Sequence, residues 1–329
     1  MTPRANPLAR RSLLGLLAAA HGAQAQSLPS LLPRGQVSLL IPGPPGGPHP
    51  RWAERLALVV APIAGQIQAE ILGGADGVTA ANRFGTQVVP DGRGLLVLAG
   101  AAVQARLAGD IRARFDHAGW LPVCASLGSA VLVGRGPLPA RASGAVPLTV
   151  AVGGPEGSGV AALLALDLLG LPAVPLAGPA APHWQDGSAR AMLLSGPALP
   201  ARLAGLGATP WFVLDAGAGE RDPALPEVAA LAELVQPQPL LAACRAAGAA
   251  ARLLAALVLP ALTSADQVAL WRGAGQRWLE EEARGGTAEY GMAMPGAEAA
   301  AVLALLSPGS AAVLAYREWL LRRLGWQGQ

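Results

Sequence analysis

The sequence contains no lysine, and cysteine, histidine, phenylalanine and tyrosine are all scarce. Every one of the 24 basic residues is arginine, and there are only two cysteines and four histidines. Without lysine the chain cannot form the phosphate-binding loop G-x-x-x-x-G-K-[ST]. Two cysteines, Cys124 and Cys244, do not make the disulfide framework of a small secreted domain. Two buried free thiols are the simpler interpretation, and a single disulfide between them stays open.

The sequence also lacks the patterns in which residues usually bind a metal or act as a nucleophile. His49, His117 and His183 have no metal-ligand spacing. The segment GGPEGSG at 153–159 lacks the dinucleotide spacing G-x-G-x-x-G, and no G-x-S-x-G nucleophile elbow is present. We therefore predict no metal site, no cofactor and no enzymatic activity.

The charge is close to balanced once the first residues are set aside. The formal net charge is +3, but Arg4, Arg10 and Arg11 lie in a segment that we expect to be removed, which leaves 21 basic and 21 acidic residues. A neutral protein has no long-range field that attracts polyanions. We therefore predict that nucleic acid is not a partner.

The N-terminal segment has the pattern of a secretory signal. The pair Arg10-Arg11 precedes an apolar run at 13–20, and Ala23-Gln24-Ala25 fits a cleavage site with small residues. We predict a signal peptide over 1–25, cleavage near Ala25 and a periplasmic location. The alternatives are an N-terminal helix of the fold and, for the export route, the twin-arginine pathway instead of the general one.

Two glycine-rich loops each follow a predicted buried strand and precede a predicted helix. The first, Gly43–Pro50, lies between a strand over 36–41 and a helix from Arg51, and the second, Gly153–Ser158, lies between a strand over 148–152 and a helix over 160–169. Helix N-termini carry unpaired N–H groups that favour carboxylates. The loops could hold the two ends of a small anion, or they could be ordinary tight turns.

The strand–loop–helix alternation predicts an α/β fold with a largely parallel sheet, repeated in two lobes. The long extended stretch over 120–133 would cross from the first lobe to the second, and a strand over 253–259 would return. We predict lobe 1 over 26–126 plus 253–329 and lobe 2 over 127–252, with a ligand cleft between them. The pattern also predicts that the segments 227–248, 264–284 and the C-terminus are helical.

The order of four motifs is similar to that of a known family. They are IPGPPGGPHP at 41–50, the glycine loop at 74–77 with its later Pro90-Asp91-Gly92, the apolar stretch at 120–140, and RDPALPEV at 221–228. Together they resemble the receptor proteins of tripartite tricarboxylate transporters, often called Bug-type binding proteins.

The resemblance implies a two-lobed type II periplasmic-binding-protein-like fold, a monomer that closes on a small organic acid and delivers it to membrane transporter subunits. It also implies which positions meet the ligand: Gly46, Gly47, Pro48, His49, Asp76, Gly77, Gly100, Ala101, Gly157, Ser158 and Ser195.

The chain departs from the family at several of these positions. His49 and Pro50 stand where the family has a small hydroxyl residue and an aspartate, and Ala101 and Ala102 replace hydroxyl or amide residues. The alternative function is therefore an exported interaction or sensor protein that keeps the fold but has lost solute binding. A cleft lined by N–H groups and polar side chains would favour the receptor, and a cleft filled by leucine and alanine would favour the alternative.

Overall fold

The computed structural model describes residues 36–140, 146–285 and 290–328. The predicted signal peptide and its cleavage site near Ala25 lie outside the described residues. Strands β1 to β11 are Val37–Pro42, Ile67–Leu72, Gly94–Leu98, Leu121–Leu127, Ser129–Gly134, Leu148–Gly153, Ala173–Ala177, Ala191–Gly196, Thr209–Val213, Leu253–Leu259 and Met292–Pro295. Helices α1 to α11 are Pro48–Ala64, Val78–Gln87, Gly100–Ala108, Val160–Leu168, Ala180–Gln185, Leu199–Leu206, Leu231–Leu234, Pro239–Arg252, Ala265–Gly285, Gly296–Leu305 and Ser310–Leu324.

The strands form two mixed sheets, one in each lobe. The first has the order β11-β4-β10-β3-β1-β2 and the second the order β7-β6-β8-β5-β9. Strands β1, β2 and β3 pair in parallel, as do β6, β7 and β8, because a helix follows most of these strands and returns the chain. Strands β4, β5 and β10 pair antiparallel with their neighbours. The sheets are therefore less uniformly parallel than the sequence predicts.

The predicted crossing stretch over 120–133 consists of two strands in different sheets. Strand β4 belongs to the first sheet and β5 to the second, with Gly128 between them. The N–H group of Gly128 donates to the carbonyl of Arg252, 2.9 Å away, immediately before the return strand β10. A Cβ atom on residue 128 would lie 2.5 Å from the carbonyl carbon of Gly196, so only glycine fits here. Both crossing segments thus meet at one point between the lobes.

The last helix shares its core with the second sheet. Tyr316, Trp319 and Leu320 of α11 are buried in the same apolar cluster as α4 and the inner face of the second sheet. The indole N–H of Trp319 donates to Asp167 of α4. The boundaries of the lobes stay a prediction, and the structure adds that α11 connects the end of the chain to the second sheet.

Several elements differ from the sequence prediction. Helix α1 begins at Pro48 instead of Arg51, because proline fits the first helical turn, where its missing N–H group is not needed. Helix α3 was not predicted, and the C-terminal segment forms two helices that end before Trp326. The two cysteines are buried and free, which confirms the interpretation as thiols.

Within the described residues no single helix is long and apolar enough to cross a membrane, and α10 with α11 meets that test only as a pair bent by 54°.

Candidate ligand-binding site

A cavity of about 460 Å³ lies between the two sheets, at the ends of the strands from which the chain enters its helices. Pro48, His49 and Arg51 of α1 line it from the first lobe, and so do Gly100 and Ala101 of α3. Ligands of open α/β sheets commonly bind at this edge, outside the carboxyl ends of the strands.

The second lobe and the return crossing complete the wall. The loop that precedes α4 contributes Glu156, Gly157 and Ser158. The end of α8 and the start of β10 form an apolar side, with Ala250, Ala251, Leu253, Leu254 and Ala255. The cavity is therefore bounded by both glycine-rich segments and by one of the two crossings between lobes.

Residues at the starts of helices α1 and α3 line this cavity. The first N–H groups of a helix have no partner within the helix, so those of Gly100 and Ala101 remain available for a ligand. In α1 the first turn offers fewer donors, because Pro48 and Pro50 have no N–H group. The N–H group of Arg51 already donates to the carbonyl of Gly47, which leaves that of His49. The arrangement suits one small anionic group better than several.

The imidazole of His49 is neutral near pH 7. Burial lowers its pKa from 6.5, against the opposing effect of a hydrogen bond to the backbone of Leu254. Its Nδ1 atom is buried and has no hydrogen-bond partner among the described residues. His49 therefore provides a polar atom to the site but no positive charge.

The charged side chains of the cavity are one of each sign. Arg51 is exposed on α1, and Glu156 is half-buried in the loop before α4. Trp52 also lines the cavity but is a core residue: its indole N–H donates to the hydroxyl of Ser126, 2.8 Å away, and its ring packs edge-on against Trp278. No group of three or more histidine, cysteine, aspartate or glutamate side chains that could hold a metal occurs in the described part of the chain.

Several solved structures are similar to this chain. No family model and no curated protein matches the sequence. A TctC solute-binding protein from Polaromonas superposes with a TM-score of 0.64 at 17% identity, covering 88% of this chain and 99% of that chain. MatC from Rhodopseudomonas palustris, with bound malate, gives 0.54 at 23% identity, covering 88% and 100%. The periplasmic binding protein BugD gives 0.52 at 16% identity, covering 90% and 100%.

The chain shares the fold of the TctC protein. The predicted two-lobed α/β architecture and the resemblance that suggested it are thereby confirmed at the level of the fold. In the TctC-type fold of this chain, six of the predicted site residues line the cavity: Pro48, His49, Gly100, Ala101, Gly157 and Ser158.

The other predicted site residues do not line the cavity in this TctC-type fold. Asp76 caps α2 by accepting from the N–H group of Val78 and forms an ion pair with Arg112 at 3.2 Å. Gly77 has a φ of +75° and packs between Pro42 and Ala99. The remaining three, which shape turns or a strand end, are Gly46, Gly47 and Ser195.

The residues that the return crossing and the helix sides bring to the cavity are not among the predicted site residues. Gln104 lies one turn into the unpredicted helix α3, and Tyr290 and Pro197 follow segments whose path depends on tertiary structure. A polar residue four positions after Gly100, in a helix that starts at the site, is the one signal that could have indicated Gln104.

The half-buried His49 and the buried His117 predict the pH dependence of stability. Burial lowers the pKa of His117 as it does that of His49, and hydrogen bonding to the backbone of Leu306 opposes it. The unfolded chain then binds more protons than the folded one, so the free energy of unfolding should fall as the pH drops below about 6.5. Urea unfolding at several pH values measures this. His117→Gln should make the dependence shallower, and an unchanged slope would contradict the assignment.

Proposed function

We propose that this protein is a periplasmic solute-binding receptor that captures a small organic acid for a transporter of the tripartite tricarboxylate type. The observation that carries the proposal is the open cavity of about 460 Å³, lined by the starts of α1 and α3, whose first N–H groups have no partner within the helix. Such N–H groups, at the positive end of the helix dipole, favour a carboxylate without a cationic side chain. The TctC-type fold and the malate in MatC support the same class of ligand.

The cavity also bears on the alternative of an exported protein that no longer binds a solute. Leucine and alanine side chains line much of the cavity but do not fill it, and the polar residues His49, Glu156 and Ser158 also line it. This distribution supports the receptor. We include three further features in the proposal. A receptor of this kind would be a periplasmic monomer that delivers its ligand to transporter subunits in the membrane.

The direct test is a thermal-shift screen of organic acids on protein purified from the periplasmic fraction, followed by calorimetry. A ligand present at about 100 times its Kd should raise the free energy of unfolding by about 2.7 kcal/mol. Absence of any shift across mono- and dicarboxylates at millimolar concentration would contradict the receptor and favour the alternative.

Adding bulk at the start of α3 should block the site. Ala101 is the second residue of α3, exposed towards the cavity, so Ala101→Leu places a larger side chain where the ligand would meet the helix N-terminus. We expect the affinity for the acid that the screen identifies to fall at least about tenfold, measured by calorimetry.

The matched control is Ala311→Leu. Ala311 is also an exposed alanine at the second position of a helix, α11, and it does not line the cavity. Its affinity should equal that of the wild type. Equal affinities for wild type and Ala101→Leu would place the ligand elsewhere.

A further inference from the structure

The charged groups that line the cavity are divided between the two lobes. The starts of α1 and α3 belong to helices that follow strands of the first sheet, and the basic Arg51 lies on α1. The loop before α4, which follows a strand of the second sheet, contributes the acidic Glu156. A carboxylate in the cavity is therefore favoured beside α1 and α3, and the rest of the ligand meets the remaining walls.

The loop before α4 is poorly suited to a second carboxylate. The N–H group of Gly157 donates to the carbonyl of Gly154, 2.9 Å away, and that of Val160 donates to the carbonyl of Gly157, 3.3 Å away. These two donors are consequently already used within the loop.

The carboxylate of Glu156 adds a negative charge at the same loop. A Cβ atom on residue 154 would lie 2.9 Å from Oε1 of Glu156, so this half-buried side chain lies over the loop. In the part of the chain that the structure describes, no basic side chain forms an ion pair with Glu156. A second carboxylate of a ligand would meet a like charge here, in a site that is partly shielded from water.

The wall formed by the end of α8 and the start of β10 is apolar. Its side chains are those of Ala250, Ala251, Leu253, Leu254 and Ala255. Burying a charge against such side chains without a counter-charge is unfavourable, whereas burying hydrocarbon there is favourable. The cavity volume of about 460 Å³ leaves room for several carbon atoms beyond one carboxylate.

We propose that the ligand of this cavity is a monocarboxylate with an apolar hydrocarbon body, and that Glu156 is the residue that rejects a second carboxylate. The single carboxylate lies beside the starts of α1 and α3, and the hydrocarbon body packs against the end of α8 and the start of β10. The inference rests on the proposed receptor function and narrows its organic acid to one class.

The first arm of the test compares acids of equal length on the wild-type protein. Calorimetry would measure butyrate beside succinate, pentanoate beside glutarate, and hexanoate beside adipate. In the pair that fits best, the monoacid should bind at least about tenfold more tightly than the diacid. A diacid that binds as tightly as its monoacid would overturn this inference and leave the receptor function intact. Absence of binding in both series would contradict the receptor function itself.

The same measurements contain a second readout, the dependence of affinity on chain length. Each additional methylene that the apolar wall buries should tighten binding of the monoacids by about fourfold. Equal affinities for butyrate, pentanoate and hexanoate would contradict the packing of the hydrocarbon body against α8 and β10.

The second arm removes the charge of Glu156. Glu156→Gln keeps the size of the side chain, and the preference for the monoacid should fall by at least about threefold, because the diacid no longer meets a like charge. The affinity for the monoacid itself should change little. An unchanged preference would overturn the role of Glu156.

Glu220→Gln is the matched control. Glu220 also lies over a glycine of its own loop, since it accepts from the N–H group of Gly217, but it does not line the cavity. This variant should keep the wild-type preference. An equal fall in Glu156→Gln and Glu220→Gln would show that the charge acts from a distance and would overturn the assignment to Glu156.

Discussion

Gly100→Ala should destabilise the protein by about 3 kcal/mol or more, or prevent it from folding. A Cβ atom at residue 100 would lie 2.0 Å from the carbonyl oxygen of Ala250 and 2.6 Å from that of Leu253. Both atoms belong to the backbone of the return crossing, so neither can rotate away as a flexible side chain would. The start of α3 and the end of α8 must therefore separate, and the core that α3 buries has to shift with them.

Urea unfolding followed by circular dichroism measures this effect. Gly273→Ala is the matched control, because Gly273 lies on the exposed side of helix α9 and an added Cβ atom would meet nothing within 4 Å. That variant should gain about 0.5–1 kcal/mol from the better helix propensity of alanine. If Gly100→Ala and Gly273→Ala unfold at similar urea concentrations, the close approach of α3 to α8 is wrong.

The region around Gly100 also shows why only part of the fold can be predicted from the sequence. The return strand β10 matches the prediction at both ends, because its continuous apolar run is bounded by Arg252 and Pro260. Helix α3 has no such boundary, since the alanines after Gly100 continue the apolar character of β3 without a polar break. The local sequence pattern therefore predicts elements that have clear ends. It does not predict a helix such as α3, which only tertiary packing separates from the preceding strand.

The same distinction applies to the candidate site. The glycine-rich loops could be found because each follows a strand and precedes a helix, which is a local signal. Gln104 and Leu254 reach the cavity through contacts between segments far apart in the chain, such as the hydrogen bond from Gln104 to Tyr316. The glycine at 77, in contrast, has the expected local geometry but packs against Pro42 and Ala99 instead of facing the cavity. Local conformation does not decide which side of a turn faces a ligand.

The point where the lobes join carries an ion pair with little access to water. The Nη1 atom of Arg252 lies 2.6 Å from Oδ2 of Asp215, whose side chain is 6% exposed. The Nε atom of the same guanidinium donates to the carbonyl of Gly128, 3.1 Å away. Arg252 thereby connects the return crossing, the link between β4 and β5, and the segment after β9. A guanidinium, whose several N–H donors lie in one plane and can reach separate acceptors, fits this role better than an ammonium group would.

Arg252→Met should consequently lower the free energy of unfolding by about 3–5 kcal/mol, because it leaves the carboxylate of Asp215 buried without a counter-charge. Adding Asp215→Asn to this variant removes the stranded charge, so the double variant should be more stable than Arg252→Met alone. Urea unfolding of the four proteins gives the coupling between the two residues.

Arg221→Met is the matched control, since Arg221 pairs with Glu233 at the surface and its loss should change stability little. The outcome also separates two roles of Arg252. If the main role is to neutralise Asp215, the double variant recovers most of the lost stability. If the main role is the hydrogen bond from the Arg252 side chain to the Gly128 carbonyl, the double variant remains as unstable as Arg252→Met. That hydrogen bond, and not the ion pair, would then hold the two crossings together. Wild-type stability in Arg252→Met would contradict both, because neither interaction would then contribute to holding the lobes in register.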